Sequence, residues 1–296
     1  GGTLMNRRPT SKLIDSRARI SLRVPSWLIC CLIATLTSFT ASQARSDSAF
    51  VSGKPALRVE YWQNRQAEIG AWLQDGRNLS SVKLVFLGDS ITDFWSLGDN
   101  PWVSGQKCGR AIWDESFSGR PPENRGLNLG ISGDRTEHVL YRILPKAAGG
   151  LGELDSADLN PEFVILLVGI NNTWAAEAPV ADSVYTGIEA VISAVHERKP
   201  KARVILQSLL PTMEESKNRE VVVPVNRRLL ELSSSRPYSD YVVYLDLYAA
   251  FVDSRGQQLG QYFNDGLHPN ESGYRVWRDQ LVPFLSRARA STAHAR

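Results

Sequence analysis

Val82-Lys83-Leu84-Val85-Phe86-Leu87, running straight into Gly88-Asp89-Ser90-Ile91-Thr92, is the stretch whose reading decides the fold. Five apolar residues around one lysine, with no in–out alternation, describe a strand covered on both faces, as in parallel sheets flanked by helices. The chain then turns at once. A serine at the carboxyl end of a buried parallel strand faces the crevice where open α/β sheets bind their ligands. Gly-Asp-Ser is also ordinary turn chemistry, with glycine supplying unusual backbone angles and Asp or Ser capping the next helix. By itself, then, the stretch specifies strand, turn and a candidate hydroxyl, and no reaction.

Working outward, four more apolar runs read as strands: Gly126–Gly130, Phe163–Val168, Val204–Leu206 and Tyr241–Leu245. Helical patterns separate them. Val184, Ile188, Val191, Ile192 and Val195 recur on one face, a second pattern runs from about Glu220 to Leu232, and a third after Pro269 aligns Tyr274, Trp277, Leu281 and Phe284. Alternating strands and helices predict an α/β fold with a doubly wound parallel sheet. Upstream, apolar and aromatic residues between Leu57 and Leu73 (Trp62, Ile69, Trp72, Leu73) predict an amphipathic helix packed outside the sheet. No internal repeat or long linker follows residue 80, so a single domain is expected.

The first 44 residues have a different composition. Arg7, Arg8, Lys12, Arg17, Arg19 and Arg23, against Asp15, precede an apolar run from Trp27 to Leu36, and Ser42-Gln43-Ala44 offers small residues at the two positions a signal peptidase reads. This is the layout of a secretory signal peptide, with cleavage after Ala44. The run is shorter than the about 20 residues that span a bilayer, so membrane attachment is expected only if the leader stays uncleaved. Gly1–Leu4 precede Met5 and are set aside as non-native. The leader carries +5 against the chain's +3, which leaves −2 for residues 45–296. The apparent basicity therefore says nothing about nucleic acid, and no basic stripe with interleaved aromatics occurs. Cys30 and Cys31 lie in the leader and Cys108 stands alone, so no internal disulfide is available and no Cys/His cluster has zinc spacing. The expected organisation is signal peptide 1–44, linker and N-terminal helix 45–80, domain 81–286 and a frayed tail 287–296, in a secreted or periplasmic bacterial protein.

Residues 96–125 are the exception to short connections. They open with Gly98-Asp99-Asn100-Pro101 and carry Trp102 and Trp113, with Trp95 just before. A long loop beside a candidate nucleophile can wall a pocket. Its tryptophans are expected chiefly to pack, with an acyl or sugar platform as the alternative.

Four segments fall where strands end or where the chain returns to the sheet's carboxyl edge. They are Gly88-Asp89-Ser90-Ile91-Thr92, Asn128-Leu129-Gly130-Ile131-Ser132-Gly133-Asp134, Gly169-Ile170-Asn171-Asn172 and Asp265-Gly266-Leu267-His268-Pro269. In that order they resemble the four blocks of the SGNH (GDSL) hydrolase superfamily, over roughly residues 80–285. The stretch from Leu127 to Ile143, together with Val168 to Asn172, is similar to the catalytic subunits of platelet-activating-factor acetylhydrolases and their bacterial relatives. The resemblance implies a flavodoxin-like, three-layer α/β/α sandwich around a five-stranded parallel sheet. It also implies removal of short acyl groups, chiefly acetyl, from a small ester substrate without metal or organic cofactor, and pairing into a homodimer.

The chemistry fits the residue types. Ser90 must lose its proton as it attacks an acyl carbon, and His268 is the imidazole able to take it near neutral pH. Asp265 can accept the proton on the other ring nitrogen in a hydrogen bond and fix the tautomer. The resemblance assigns the oxyanion hole to the N–H groups of Ser90 and Gly133 and to the side-chain amide of Asn171. Asp134, Arg135 and His138 are expected to brace a helix start. Asn172 stands where many members of the superfamily carry Asp. The expected function is a serine esterase acting on acetylated carbohydrate, with phospholipid or other small esters as rivals. A non-catalytic binding module and an acyltransferase on the same scaffold are the alternatives from other classes.

Overall fold

The computed structural model describes residues 49–58, 63–175 and 177–293. The leader, Trp62 and the last three residues lie outside them, so the signal-peptide reading falls on residues not described here. Five strands form one parallel sheet: β1 (Leu84–Gly88), β2 (Gly126–Gly130), β3 (Phe163–Leu167), β4 (Arg203–Gln207) and β5 (Val242–Leu245). Their spatial order is β2-β1-β3-β4-β5, the flavodoxin-like order that places a topological switch point between β1 and β3. All residues of β1 and β3 are buried, which is why both read as unbroken apolar runs.

Seven helices matter to the site: α1 (Gln63–Gln74), α2 (Ser90–Asp93), α3 (Arg110–Ser116), α4 (Thr136–Ile143), α5 (Val180–Arg198), α6 (Val223–Ser233) and α7 (Glu271–Ala293). Helix α5 packs against α4 and α6, whereas α7 packs against α3. The buried stripe of α5 is the one read from the sequence: Val184, Ile188, Val191, Ile192 and Val195. In α7, Tyr274, Trp277, Leu281 and Leu285 are fully enclosed. Tyr274 Oη donates to Ile91 O at 2.6 Å and Trp277 Nε1 donates to Gln207 Oε1 at 2.6 Å. These bonds fasten the last helix to the turn after β1 and to the end of β4.

Three sequence expectations are corrected. The tail is not frayed from residue 287, because α7 continues to Ala293. Ala288 is buried, and Arg289 bonds Glu162, Asn124 Oδ1 and the Glu123 carbonyl. The described part of the segment read as linker is built into the domain: Val51–Gly53 forms a helical turn with Ser52 completely buried. Ser52 finds partners within the fold, so its polarity did not mean exposure. Leu57 and Arg58 are not helical, and the described part of the N-terminal helix is Gln63–Gln74; Ile69 is enclosed, while Trp72 faces solvent.

Candidate active site

The turn after β1 is set by close approach. A Cβ on Gly88 would stand 2.2 Å from Leu167 O and 2.3 Å from Thr92 Oγ1, so only glycine lets β3 and α2 close on this point. Asp89 caps α2 by accepting the Ile91 N–H at 3.0 Å. Burial, partly offset by that N–H and by His268, pushes the Asp89 carboxyl up to about 7. Ser90 is thereby the first residue of a four-residue helix at the carboxyl end of a central strand.

The histidine arrives from the far end of the chain. Asp265 Oδ1 accepts the N–H groups of Leu267 (3.0 Å) and His268 (2.8 Å), and Gly266 between them has φ +78°. That Asx-type turn brings Asp265 Oδ2 within 2.7 Å of His268 Nδ1. Burial alone would raise the Asp265 carboxyl, but the hydrogen bonds and charge of His268 and the Leu267 N–H outweigh it and hold it at about 2. An ionised carboxylate only accepts, so Nδ1 carries the ring proton and Nε2 is left as an acceptor. Nε2 lies 2.9 Å from Ser90 Oγ. Phe94 stacks on the imidazole at 4.9 Å between ring centroids and keeps it from swinging out.

Gly133, with φ +81°, lies in the loop between β2 and α4. Among the described residues, neither its N–H nor that of Ser90 is donated elsewhere. Asn171 follows the end of β3, and its Nδ2 donates to Asp134 O at 2.8 Å, which leaves a second N–H on the same nitrogen. The structure thus brings Ser90, His268 and Asp265 into one hydrogen-bonded line and ties Asn171 to the loop that carries Gly133.

Asn172 turns inward. It accepts the Thr136 N–H at Oδ1 (3.1 Å) and donates from Nδ2 to Thr136 Oγ1 (3.0 Å) and to Glu137 Oε2 (2.9 Å). An amide suits this position because Glu137 is buried and an aspartate would set two carboxylates together. His138 Nδ1 accepts the Arg135 N–H at 2.9 Å. Burial, with the charges of Arg58, Arg135 and Arg142, lowers this imidazole to about 4, so it stays neutral and serves the helix start.

Several supporting residues left no mark that sequence reading recognised. Arg142, fully buried, bonds Asp134 Oδ2 at 2.8 Å and Glu153 Oε2 at 2.5 Å behind the site. Arg65 of α1 pairs with Asp93 at 3.1 Å and donates to the carbonyls of Gly130 and Asn128, while Asp93 in turn accepts the N–H and hydroxyl of Ser132. Charged residues on separate elements give no periodic signal, so these contacts became visible only in three dimensions. Of the loop tryptophans, Trp95 is enclosed and Trp113 packs on Phe86. Trp102 instead remains 53% exposed, its ring 5.8 Å from that of His268. With Phe94, Ile131, Ser132, Asn64 and Glu68 it lines a cleft of about 440 Å³. Among the described residues, no three His, Cys, Asp or Glu side chains converge as metal ligands would.

Comparison with known proteins places this arrangement. Residues 86–276 match the GDSL-like Lipase/Acylhydrolase family. The human platelet-activating factor acetylhydrolase IB subunit alpha1 is 32% identical over 197 residues, covering 65% of this chain and 70% of the relative. The alpha2 subunit from Rattus norvegicus is 34% identical over 192 residues, covering 64% and 70%. A GDSL-like lipase from Bacteroides thetaiotaomicron shares the fold with a TM-score of 0.53 at 21% identity, covering 75% of this chain and 98% of that one. With its four blocks gathered at the carboxyl edge of a 2-1-3-4-5 sheet, the chain belongs to the GDSL-like lipase/acylhydrolase family within the SGNH hydrolases and is a carboxylic-ester hydrolase.

Proposed function

We propose that the protein hydrolyses short-chain acyl esters, above all acetyl esters, through an acyl-enzyme on Ser90. The observation that carries this reading is the line Asp265 Oδ2, His268 Nδ1, His268 Nε2, Ser90 Oγ, closed by bonds of 2.7 and 2.9 Å. Ser90 Oγ attacks the acyl carbon while His268 Nε2 takes its proton. Asp265 stabilises the imidazolium that forms. Negative charge gathers on the former carbonyl oxygen, where the N–H groups of Ser90 and Gly133 and the free N–H of Asn171 Nδ2 receive it; each such donor contributes about 3 kcal/mol to the transition state. The tetrahedral intermediate collapses, the C–O bond to the alcohol breaks, and His268 returns the proton to the departing oxygen. Water then gives a proton to His268 and attacks the acyl-serine, releasing the acid and restoring Ser90.

The alcohol half of the substrate is a carbohydrate in this reading. Trp102 offers one open aromatic face beside the histidine, and the exposed Asn64 and Glu68 across the cleft supply hydrogen-bonding groups for hydroxyls. A lipid acetyl ester is the second reading, favoured by the names of the relatives that are about one third identical. Export through the leader 1–44 and pairing into a homodimer complete the proposal. No helix among the described residues is long and apolar enough to cross a membrane.

The purified protein is expected to hydrolyse p-nitrophenyl acetate faster than longer-chain esters. Ser90→Ala should abolish both that activity and labelling by a fluorophosphonate. An alanine variant as active as the parent would overturn the mechanism, and acetylated sugars tested against acetylated lipids separate the two substrate readings.

A further inference from the structure

Residues 51–58 precede the part of the chain that matches the family, yet they are tied to the site by bonds at nearly every step. The N–H groups of Val51 and Ser52 donate to the Glu177 carboxylate at 2.8 and 3.1 Å. Ser52 Oγ donates to Ser183 O at 2.6 Å, Thr136 Oγ1 donates to Ser52 O at 2.7 Å, and Ala56 N–H donates to Glu137 O at 2.9 Å. The strap is thus fixed along the start of α4 and α5 before it reaches Arg58.

Arg58 ends it with two hydrogen bonds from one nitrogen. Its Nη1 donates to Ser132 O and, at 3.1 Å, to Asp134 Oδ1, the two residues that flank Gly133. Its Nη2 fills the space beside Gly133 itself, 2.6 Å from where a Cβ would stand. Asp134 is the junction: its carboxylate is held by Arg58 on one oxygen and Arg142 on the other, and its carbonyl receives the Asn171 amide. One guanidinium therefore sets the loop carrying one oxyanion donor and, through Asp134, steadies the second.

We propose that Arg58 is a positioning residue of the active site, delivered by the N-terminal strap, which holds the Gly133 N–H and the Asn171 amide in the geometry that receives the oxyanion. The proposal rests on the reading of Gly133 and Asn171 as oxyanion donors. Loss of Arg58 leaves the buried Asp134 with Arg142, a partner it shares with Glu153, so some stability is lost with the positioning contact and the test has to separate the two. What is lost is the donor to Ser132 O and the packing beside Gly133. A loosened oxyanion loop acts on the transition state more than on substrate binding, so kcat falls and KM changes little.

The test compares the parent chain with Arg58→Ala and Arg58→Lys on p-nitrophenyl acetate, with amide hydrogen exchange followed in the peptide that spans Ile131 to Glu137. Expected for Arg58→Ala are a kcat lower by about 10- to 100-fold, less than or equal to the loss of one whole oxyanion donor, a KM within about threefold, and faster exchange at residues 132–134. Guanidinium chloride below denaturing concentrations should restore part of the rate, and lysine, which has no second nitrogen to pack beside Gly133, should restore less than arginine. A kcat within about threefold of the parent, or a loss that follows the fraction unfolded by circular dichroism and is not recovered by guanidinium, overturns the proposal. If the parent itself hydrolyses no ester, the proposed function fails, whereas the exchange comparison still decides whether Arg58 holds the loop.

Discussion

At the scale of single residues, the site is a set of choices about which proton sits where. Asp265 can orient His268 because two main-chain N–H groups and the imidazole keep its carboxyl ionised down to about 2. Asn172 is the reverse case, a neutral amide placed where charge would be costly. Replacing it by the aspartate more usual in the superfamily sets a second carboxylate against buried Glu137 and removes the donor that Glu137 accepts. Asn172→Asp is expected to cost about 1–3 kcal/mol of stability at neutral pH, measured by urea unfolding. The loss should shrink as the pH is lowered and one of the two carboxyls takes up a proton. An equal loss at every pH would mean that repulsion is not the cause.

At the scale of elements, the two ends of the chain matter more than their composition suggested. The last helix passes through Pro283 without stopping, and its final turns carry Arg289 to Glu162 and the 123–124 turn. The Ala288 carbonyl accepts from Arg203 Nη1 at 2.9 Å. Deleting residues 287–296 is therefore expected to lower stability by about 1–3 kcal/mol, a fall in Tm of about 5 °C for a domain of this size, read by calorimetry. A frayed tail would give no change. The composition of this segment, small and basic, resembles a solvated end, and only the carboxylate and carbonyls waiting at the sheet's edge give it a place. The same holds for Ser52, a polar residue in a polar segment that the fold encloses completely.

At the scale of the whole molecule, burying the turn after β1 has a consequence for stability as a function of pH. The Asp89 carboxyl is raised from 3.8 to about 7 in the folded protein, first by burial. Between these values the unfolded chain gives up its proton while the folded one keeps it. The unfolded state then binds fewer protons, so stability falls as pH rises. This contribution is fully present below the unfolded value and is lost as pH climbs through about 7. Asp265 works in the opposite direction, since its contribution is present above 3.8 and is lost as pH drops towards 2. Asp89→Asn keeps an acceptor for the Ile91 N–H and removes the titration. Relative to the parent, the variant should gain stability between pH 4 and 7, by an amount on the order of 4 kcal/mol. Parallel urea midpoints across that range would show instead that Asp89 is not the group responsible.

Much of the molecule could be read from its sequence because it rests on short-range order. Short, mainly apolar runs locate β1 to β5 to within two residues, and the five apolar residues read as the stripe of α5 are all buried, with Ser183 and Gly187 beside them. Four blocks in fixed order were enough to nominate Ser90, Gly133, Asn171, Asp265 and His268, the oxyanion donors among them through the family resemblance. What only the tertiary structure decided are the contacts between residues on different elements: Arg58 against Gly133, Arg142 between Asp134 and Glu153, Asn172 on Glu137. An isolated charge or amide looks the same in a sequence whether it faces water or a buried partner. The fold makes the difference, because it removes the water and leaves each such group only its protein partner.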